Sequence, residues 1–273
     1  MTAEVLARRC GVLGSPVSHS LSPILHRAAY EYLGLDWSYT AHEVRETELA
    51  GFVHALDESW RGLSLTMPLK RVALEVASRV SDLAETVGAA NTLVRDGDGS
   101  WSADNTDVTG LVAAIREHRA DRPQFACVWG GGATAASAVA ALAGLGAAKI
   151  HLHVRDSGRA AAPVTVADRL GSGLEVLRWQ VRAECAAADL VVSTVPAGAA
   201  DALADALAEM AGPHRMLFDV VYDPWPTPLA AAWEKRGGAV TSGLDLLVHQ
   251  AVGQLKLMTG HHVPAHVLFA AVR

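Results

Sequence analysis

The chain has 273 residues, of which 51% are hydrophobic and 19% charged, and it carries a net charge of −6 at neutral pH. That composition excludes a disordered chain and fits one large or two ordinary α/β domains with a well-buried core. No basic cluster interrupts the acidic balance, so neither nucleic acid nor an anionic membrane surface is an expected partner. Cys10, Cys127 and Cys185 are odd in number and lie in apolar surroundings, as reduced thiols of a cytoplasmic protein would. Met1 to Arg9 lack the long apolar core of a signal peptide.

In chain order, Cys10 to Gly14 reads as a short buried strand leading into Ser15-Pro16-Val17-Ser18-His19-Ser20-Leu21-Ser22-Pro23. Ser22 suits a helix N-cap, Pro23 the first helical position and Gly34 the stop. Ile24, Leu25, Ala28, Ala29 and Tyr32 form the expected apolar face. Ser20 and Ser22 either cap this helix or present two hydroxyls to an anion such as a carboxylate. Trp37 to Val44 reads as a strand and Thr47 to Leu56 as a helix. The run Gly62-Leu63-Ser64-Leu65-Thr66-Met67-Pro68-Leu69-Lys70 is a strand stopped by a proline that opens the next helix. Lys70 is thereby expected in a first helical turn, the end that disfavours a cation, where it is either solvated or held for a purpose. Ala90 to Arg95 and Ser100 to Ala103 pair across the hairpin signal Asp96-Gly97-Asp98-Gly99. Asp107 precedes Val108, Leu111, Val112 and Ile115, which have helical spacing; it either caps that helix or carries a carboxylate favoured by the helix N-terminus.

Phe125 to Trp129 is an apolar run that meets Gly130-Gly131-Gly132-Ala133-Thr134-Ala135, with the spacing of a dinucleotide-binding strand–turn–helix. Gly130 allows the sharp turn, Gly132 allows backbone N–H groups to approach a pyrophosphate, and the positive end of the helix faces the phosphates. Ala126 to Ala148 is uncharged and long enough for a bilayer, but its Ala and Gly content and the glycine turn make it a helix packed on a sheet. Strands are expected at Lys149 to Val154, Leu174 to Trp179, Leu190 to Thr194 and Met216 to Val221, with a helix near Arg159 to Leu170. Such alternation implies a parallel doubly wound sheet with ligands at the strand C-terminal ends, at Gly130 to Thr134, Arg155, Thr194 to Pro196 and Asp219 to Tyr222. Ser242 to Met258 is helical, with Gln250 and Gln254 one turn apart. His151 and His153 share a strand face and His261 and His262 are adjacent, but no third ligand follows at a zinc-like spacing, so no metal is expected.

Taken together, these motifs resemble the shikimate dehydrogenase family from Gly11 to about Gln254. The matching stretches are Gly14 to Pro23, Thr66 to Lys70, Gly88 to Leu93, Asp104 to Asp107, the glycine turn, Asp219 to Leu229 and Gly243 to Gln250. The resemblance implies an α/β protein of two domains. A Rossmann-type doubly wound NADP-binding domain spans 106–237, and an α/β substrate domain spans 1–105, completed by C-terminal helices in 238–273. It implies that Ser20 and Ser22 bind the substrate carboxylate, that Thr66, Asn91, Tyr222 and Gln250 surround the substrate ring, and that Lys70 and Asp107 are the catalytic pair. Gly130, Gly131, Gly132, Ala133, Thr134, Arg155, Arg159, Val220 and Gly243 match cofactor positions, and Asp82 aligns loosely with another. Ala133, Val154, Asp156 and Leu246 depart from the family's usual residues.

The implied reaction is reversible reduction of 3-dehydroshikimate to shikimate by NADPH, in a cytoplasmic monomer or homodimer. Lys70 would exchange the proton, its pKa raised by Asp107 and lowered by burial and the helix dipole. An NAD-specific fold ends its second strand on an acidic residue; here that place holds Val154, followed by Arg155 and Arg159 against the single Asp156, which favours a 2′-phosphate. Three other readings compete: an NAD-preferring quinate/shikimate dehydrogenase, a non-catalytic dinucleotide-binding sensor, and a related enzyme reducing another carboxylate-bearing substrate.

Overall fold

The computed structural model describes residues 7–119, 121–181 and 183–272. The chain forms two compact units, one running through Thr106 and resuming at Leu247, the other spanning Asp107–Leu246. The return comes nine residues later than the resemblance implies, for a reason visible in the second sheet.

The first unit runs through β1 (Arg9–Gly14), α1 (Ser22–Leu33), β2 (Ser38–Glu43), α2 (Leu49–His54), β3 (Trp60–Leu65), α3 (Ala73–Val76), β4 (Arg79–Val80), α4 (Asp82–Val87), β5 (Thr92–Arg95) and β6 (Trp101–Asp104). Its six strands lie in the order β2-β1-β3-β5-β6-β4. Strands β1 and β3 are parallel, whereas β5 runs against both β3 and β6. The segments after β1, after β3 and after β6, together with the residue before β5, therefore emerge at one end of the sheet. Leu13, Trp60, Leu63, Leu65, Leu93 and Trp101 build the core beneath them. The β5–β6 hairpin closes as expected, with Asp96 N–H donating to Ser100 O at 2.8 Å and Gly99 at φ 84°.

Helix α1 departs from expectation at its start and on its buried face. Ser22 is its first helical residue rather than its cap; Leu21 holds the cap position without a side-chain bond, and Ser20 Oγ accepts the Ser22 N–H at 3.3 Å. Leu25, His26, Ala29 and Tyr30 face inward, while Ile24 and Tyr32 are exposed. The stripe is rotated because His26 and Tyr30 carry aromatic surface that packs on Tyr39.

The second unit takes up α5 (Thr106–His118) and continues with β7 (Phe125–Trp129), α6 (Ala133–Leu145), β8 (Lys149–Val154), α7 (Ala161–Leu170), β9 (Leu174–Arg178), β10 (Leu190–Ser193), α8 (Ala204–Ala208), β11 (Met216–Asp219), α9 (Pro228–Lys235) and β12 (Ala239–Ser242). Every pairing is parallel, in the order β12-β11-β10-β7-β8-β9. This is the doubly wound dinucleotide-binding order, with its switch point between β7 and β10. Strand β12 pairs with β11 and so holds residues beyond 237 in this unit. Helix α10 (Gly243–Thr259) then leads back, and α11 (Ala265–Val272) packs on α1. Among the described residues no helix is long and apolar enough to cross a membrane.

Candidate active site

In the first unit, strand direction gathers the polar residues. The backbone N–H of Thr66 donates to Leu13 O at 2.9 Å, that of Ser15 to Met67 O at 3.0 Å, and that of Leu65 to Asn91 O at 2.7 Å. The loops carrying Ser20, Thr66 and Lys70 are thus tied to one another and to the start of β5. Lys70 is half-buried in a turn three residues ahead of α3, not in a helix, and its carbonyl accepts the Ala90 N–H at 2.7 Å. The unfavourable dipole expected from sequence therefore does not act on it. The turn arises because Leu69 N–H bonds back to Thr66 O before any helical ladder begins.

Asn91 is 1% exposed and fully engaged. Its Oδ1 accepts the Thr106 N–H at 2.8 Å, satisfying a donor at the start of α5 that the helix itself leaves unpaired. Its Nδ2 donates to Thr106 Oγ1 at 2.9 Å and to Gln250 Oε1 at 3.2 Å, while Gln250 Nε2 holds Leu247 O at 2.8 Å. Gln254 extends the chain: it donates to Asn91 O and Thr92 Oγ1 and accepts from Ser64, which in turn accepts from Tyr39. In the sequence, only the family resemblance links Asn91 with Gln250. The one-turn spacing of Gln250 and Gln254 was the available signal for this network.

Ser20 is half-buried, whereas Ser22 is 4% exposed. Beneath it, His26 Nδ1 donates to Ser22 O at 2.9 Å and the ring stacks on Tyr39. Burial pushes the His26 pKa down to about 4. Asp82 opens α4, exposed, where its charge suits the helix N-terminus behind the Ser81 cap.

In the second unit, Asp107 is 4% exposed in the first turn of α5 and lies inside the helix rather than capping it. The glycine turn follows β7. Gly130 has φ 122° and its N–H donates to His153 O at 3.0 Å; a Cβ there would collide with Thr194 Oγ1. Gly131 packs on Arg159, whose carbonyl would stand 2.6 Å from an added Cβ. Gly132 is the reverse case: it caps α6 with no side-chain bond and has open space around its Cβ position. Ala133 and Thr134 begin the helix beside that opening, and Ala135 is buried against the sheet. An uncapped helix N-terminus under a side-chain-free opening fits a pyrophosphate.

Val220 and Gly243 come together because the Val220 carbonyl occupies the space a Gly243 Cβ would need. Arg155 stacks over Trp179 at 4.8 Å and donates to Ala199 O at 2.5 Å; Arg159 is exposed. Asp156 accepts Gly158 N–H at 3.0 Å, capping the short turn Ser157–Ala160. Tyr222 is half-buried, and burial together with Asp223 pushes its phenol up. Behind it, Asp219 accepts from Thr227 at 2.8 Å while Thr227 caps α9; burial pushes the Asp219 carboxyl up.

A doubly wound sheet with a glycine turn at its first strand, in one chain with an α/β unit that gathers hydroxyls, amides and a lysine at one sheet end, defines a two-domain dinucleotide-dependent oxidoreductase. The chain belongs to the shikimate dehydrogenase family. The family's substrate binding domain matches residues 12–93. Shikimate dehydrogenase (NADP(+)) of Synechocystis sp. is 32% identical over 96% of this chain and 93% of its own. Among solved structures, the shikimate 5-dehydrogenase of Mycobacterium fortuitum superposes with TM-score 0.86 at 45% identity, covering 97% of this chain and 98% of that one. That of Thermus thermophilus, in complex with NADP(H) and shikimate, superposes with TM-score 0.83 at 31% identity over 97% and 98%.

Proposed function

We propose that this chain catalyses the reversible NADPH-dependent reduction of 3-dehydroshikimate to shikimate, in the cytoplasm. The observation that carries the reading is the joining of the Ser20, Thr66, Lys70 and Asn91 segments at one sheet end, with Gln250 bonded to Asn91, in a member of this family. The unit through Thr106 takes the substrate role and the unit Asp107–Leu246 the dinucleotide role. Bound NADPH supplies a hydride to the ketone carbon. Negative charge then develops on the oxygen, and the Lys70 ammonium neutralises it by giving up a proton, which it takes back in oxidation. Asp107 serves as its acidic partner. Ser20 and Ser22 receive the carboxylate; Thr66, Asn91, Tyr222 and Gln250 receive the ring hydroxyls. Gly130 to Thr134, Val220 and Gly243 cradle the dinucleotide.

The cofactor reading rests on Arg155 and Arg159. Arg155 spends one N–H on Ala199 O and its face on Trp179, which leaves further guanidinium donors for a 2′-phosphate. The test measures kcat/KM for 3-dehydroshikimate with NADPH and with NADH, in the parent and in Arg155→Ala, at low and moderate salt. The parent should favour NADPH, more so at low salt, and Arg155→Ala should lose mainly NADPH activity. A parent that favours NADH removes the arginine clamp, and no turnover with either dinucleotide removes the activity.

A further inference from the structure

The His151 and His153 pair looks incomplete in sequence because its missing partners are distant. In the fold, one ligand atom from each of Cys127, His151, His153 and Cys185 lies within 4.8 Å of every other, and all four residues are buried. We propose that these residues form a structural zinc site, a closed Cys2His2 tetrahedron on one face of the second unit's sheet.

The pleat explains the convergence. Cys127 on β7 stands in register with His151 on β8, and His153, two residues on, shares that strand face. Cys185 comes from the short 3-10 segment Ala183–Ala187 ahead of β10. Its Sγ lies 3.2 Å from His153 Nε2. On the far side of the ring, His153 Nδ1 lies 3.3 Å from Arg178 O, and only an N–H can bond a carbonyl. The proton therefore sits on Nδ1 and the Nε2 lone pair points at the thiol, the arrangement found behind metal-bound imidazoles. His151 is buried with neither ring nitrogen completing a well-aligned hydrogen bond, although the Glu175 carboxylate stands 3.0 Å from Nε2. Packing fixes both rings: Trp129 stacks on His153 at 4.1 Å and Phe125 meets His151 edge-on at 4.7 Å.

Zinc–sulfur and zinc–nitrogen bonds of about 2.3 and 2.0 Å put tetrahedral ligands roughly 3.3–3.8 Å apart, so shifts of about 1.5 Å at most close the site. Two thiolates balance the divalent charge, leaving a neutral centre in the apolar shell of Trp129, Leu207 and Met210. Two thiol protons leave to solvent on binding, and nothing is oxidised or reduced. Four protein ligands leave no open position, so the ion holds β7, β8 and the Cys185 segment together and takes no part in hydride transfer.

The full chain is produced with zinc in the medium, purified without chelator or metal-affinity resin, and analysed for metal. About one zinc per chain is expected, with near-complete loss in Cys127→Ser and Cys185→Ser and full retention in Cys10→Ser, which removes a buried thiol of the other unit. Cobalt(II) in place of zinc should show the intense visible bands of a tetrahedral site and thiolate charge-transfer absorption. Chelation should lower Tm and zinc restore it. Should the serine variants misfold, the parent's metal content, cobalt spectrum and Tm shift decide. Folded parent without metal and with a zinc-independent Tm overturns the proposal. So does a Cys127–Cys185 disulfide in the protein as isolated, or a cobalt spectrum without thiolate bands.

Discussion

Lys70 owes its position to neighbours in the backbone rather than to a helix. The turn that carries it is pinned by Leu69 N–H to Thr66 O and by Ala90 N–H to its own carbonyl. Replacing its side chain should therefore leave the turn in place and remove the proton donor. Lys70→Ala is expected to lower kcat by roughly 10²–10⁴-fold with a smaller effect on KM. Near-normal kcat would take Lys70 out of the chemistry. His26 is a residue-scale liability of a different kind. Its pKa falls from 6.5 to about 4 because burial penalises the imidazolium. The unfolded chain therefore binds a proton that the folded one refuses. The stability from keeping the ring neutral is full above pH 6.5, falls as pH drops through that window, and is gone below about 4. The loss amounts to about 3 kcal/mol. Chemical denaturation at pH 7 and pH 4 should show a smaller acid loss in His26→Gln than in the parent. An equal loss in both would assign the acid sensitivity elsewhere.

Glycines at element ends do opposite jobs, and only the fold separates them. Gly132 caps α6 beneath open space, whereas Gly243 begins α10 against the Val220 carbonyl. Gly132→Ala should cost roughly 1 kcal/mol or less, the scale of a poorer cap, while its methyl intrudes where a pyrophosphate would lie and raises the dinucleotide KM. Gly243→Ala should cost about 3 kcal/mol, the upper part of the overpacking range, because a carbonyl cannot step aside as a side chain can. Urea melts and NADPH titrations of both variants test the split; comparable melts would erase it. Strands β7, β10 and β11 were legible in the sequence because buried parallel strands are near-continuous apolar runs. Strand β12 was not, being four residues with little apolar content after Gly237 and Gly238. Ser22 as a cap and Lys70 in a helix were misread for one reason. Local propensity sees the serine and the proline, but the first turn is decided by which carbonyl the next N–H reaches.

At the scale of the whole molecule, the order of motifs along the chain disclosed the two-unit plan, since alternating strands and helices leave few topologies open. Long-range pairing stayed hidden. Cys127 and Cys185 acquire meaning only when the sheet sets them beside His151 and His153, and Ser64 only when Gln254 arrives from the far end of the sequence. That arrival sets the order of assembly on the ribosome. The unit Asp107–Leu246 is contiguous and can close once its last strand has emerged. The unit begun first cannot, because Asn91 and Ser64 wait for Gln250 and Gln254 from beyond Leu247. Until then Asn91 keeps Thr106 and Ser64 keeps Tyr39, but each lacks the partner that α10 brings, and a buried polar group left short of a partner costs roughly 1–3 kcal/mol. The half that is translated first is thus the half that matures last.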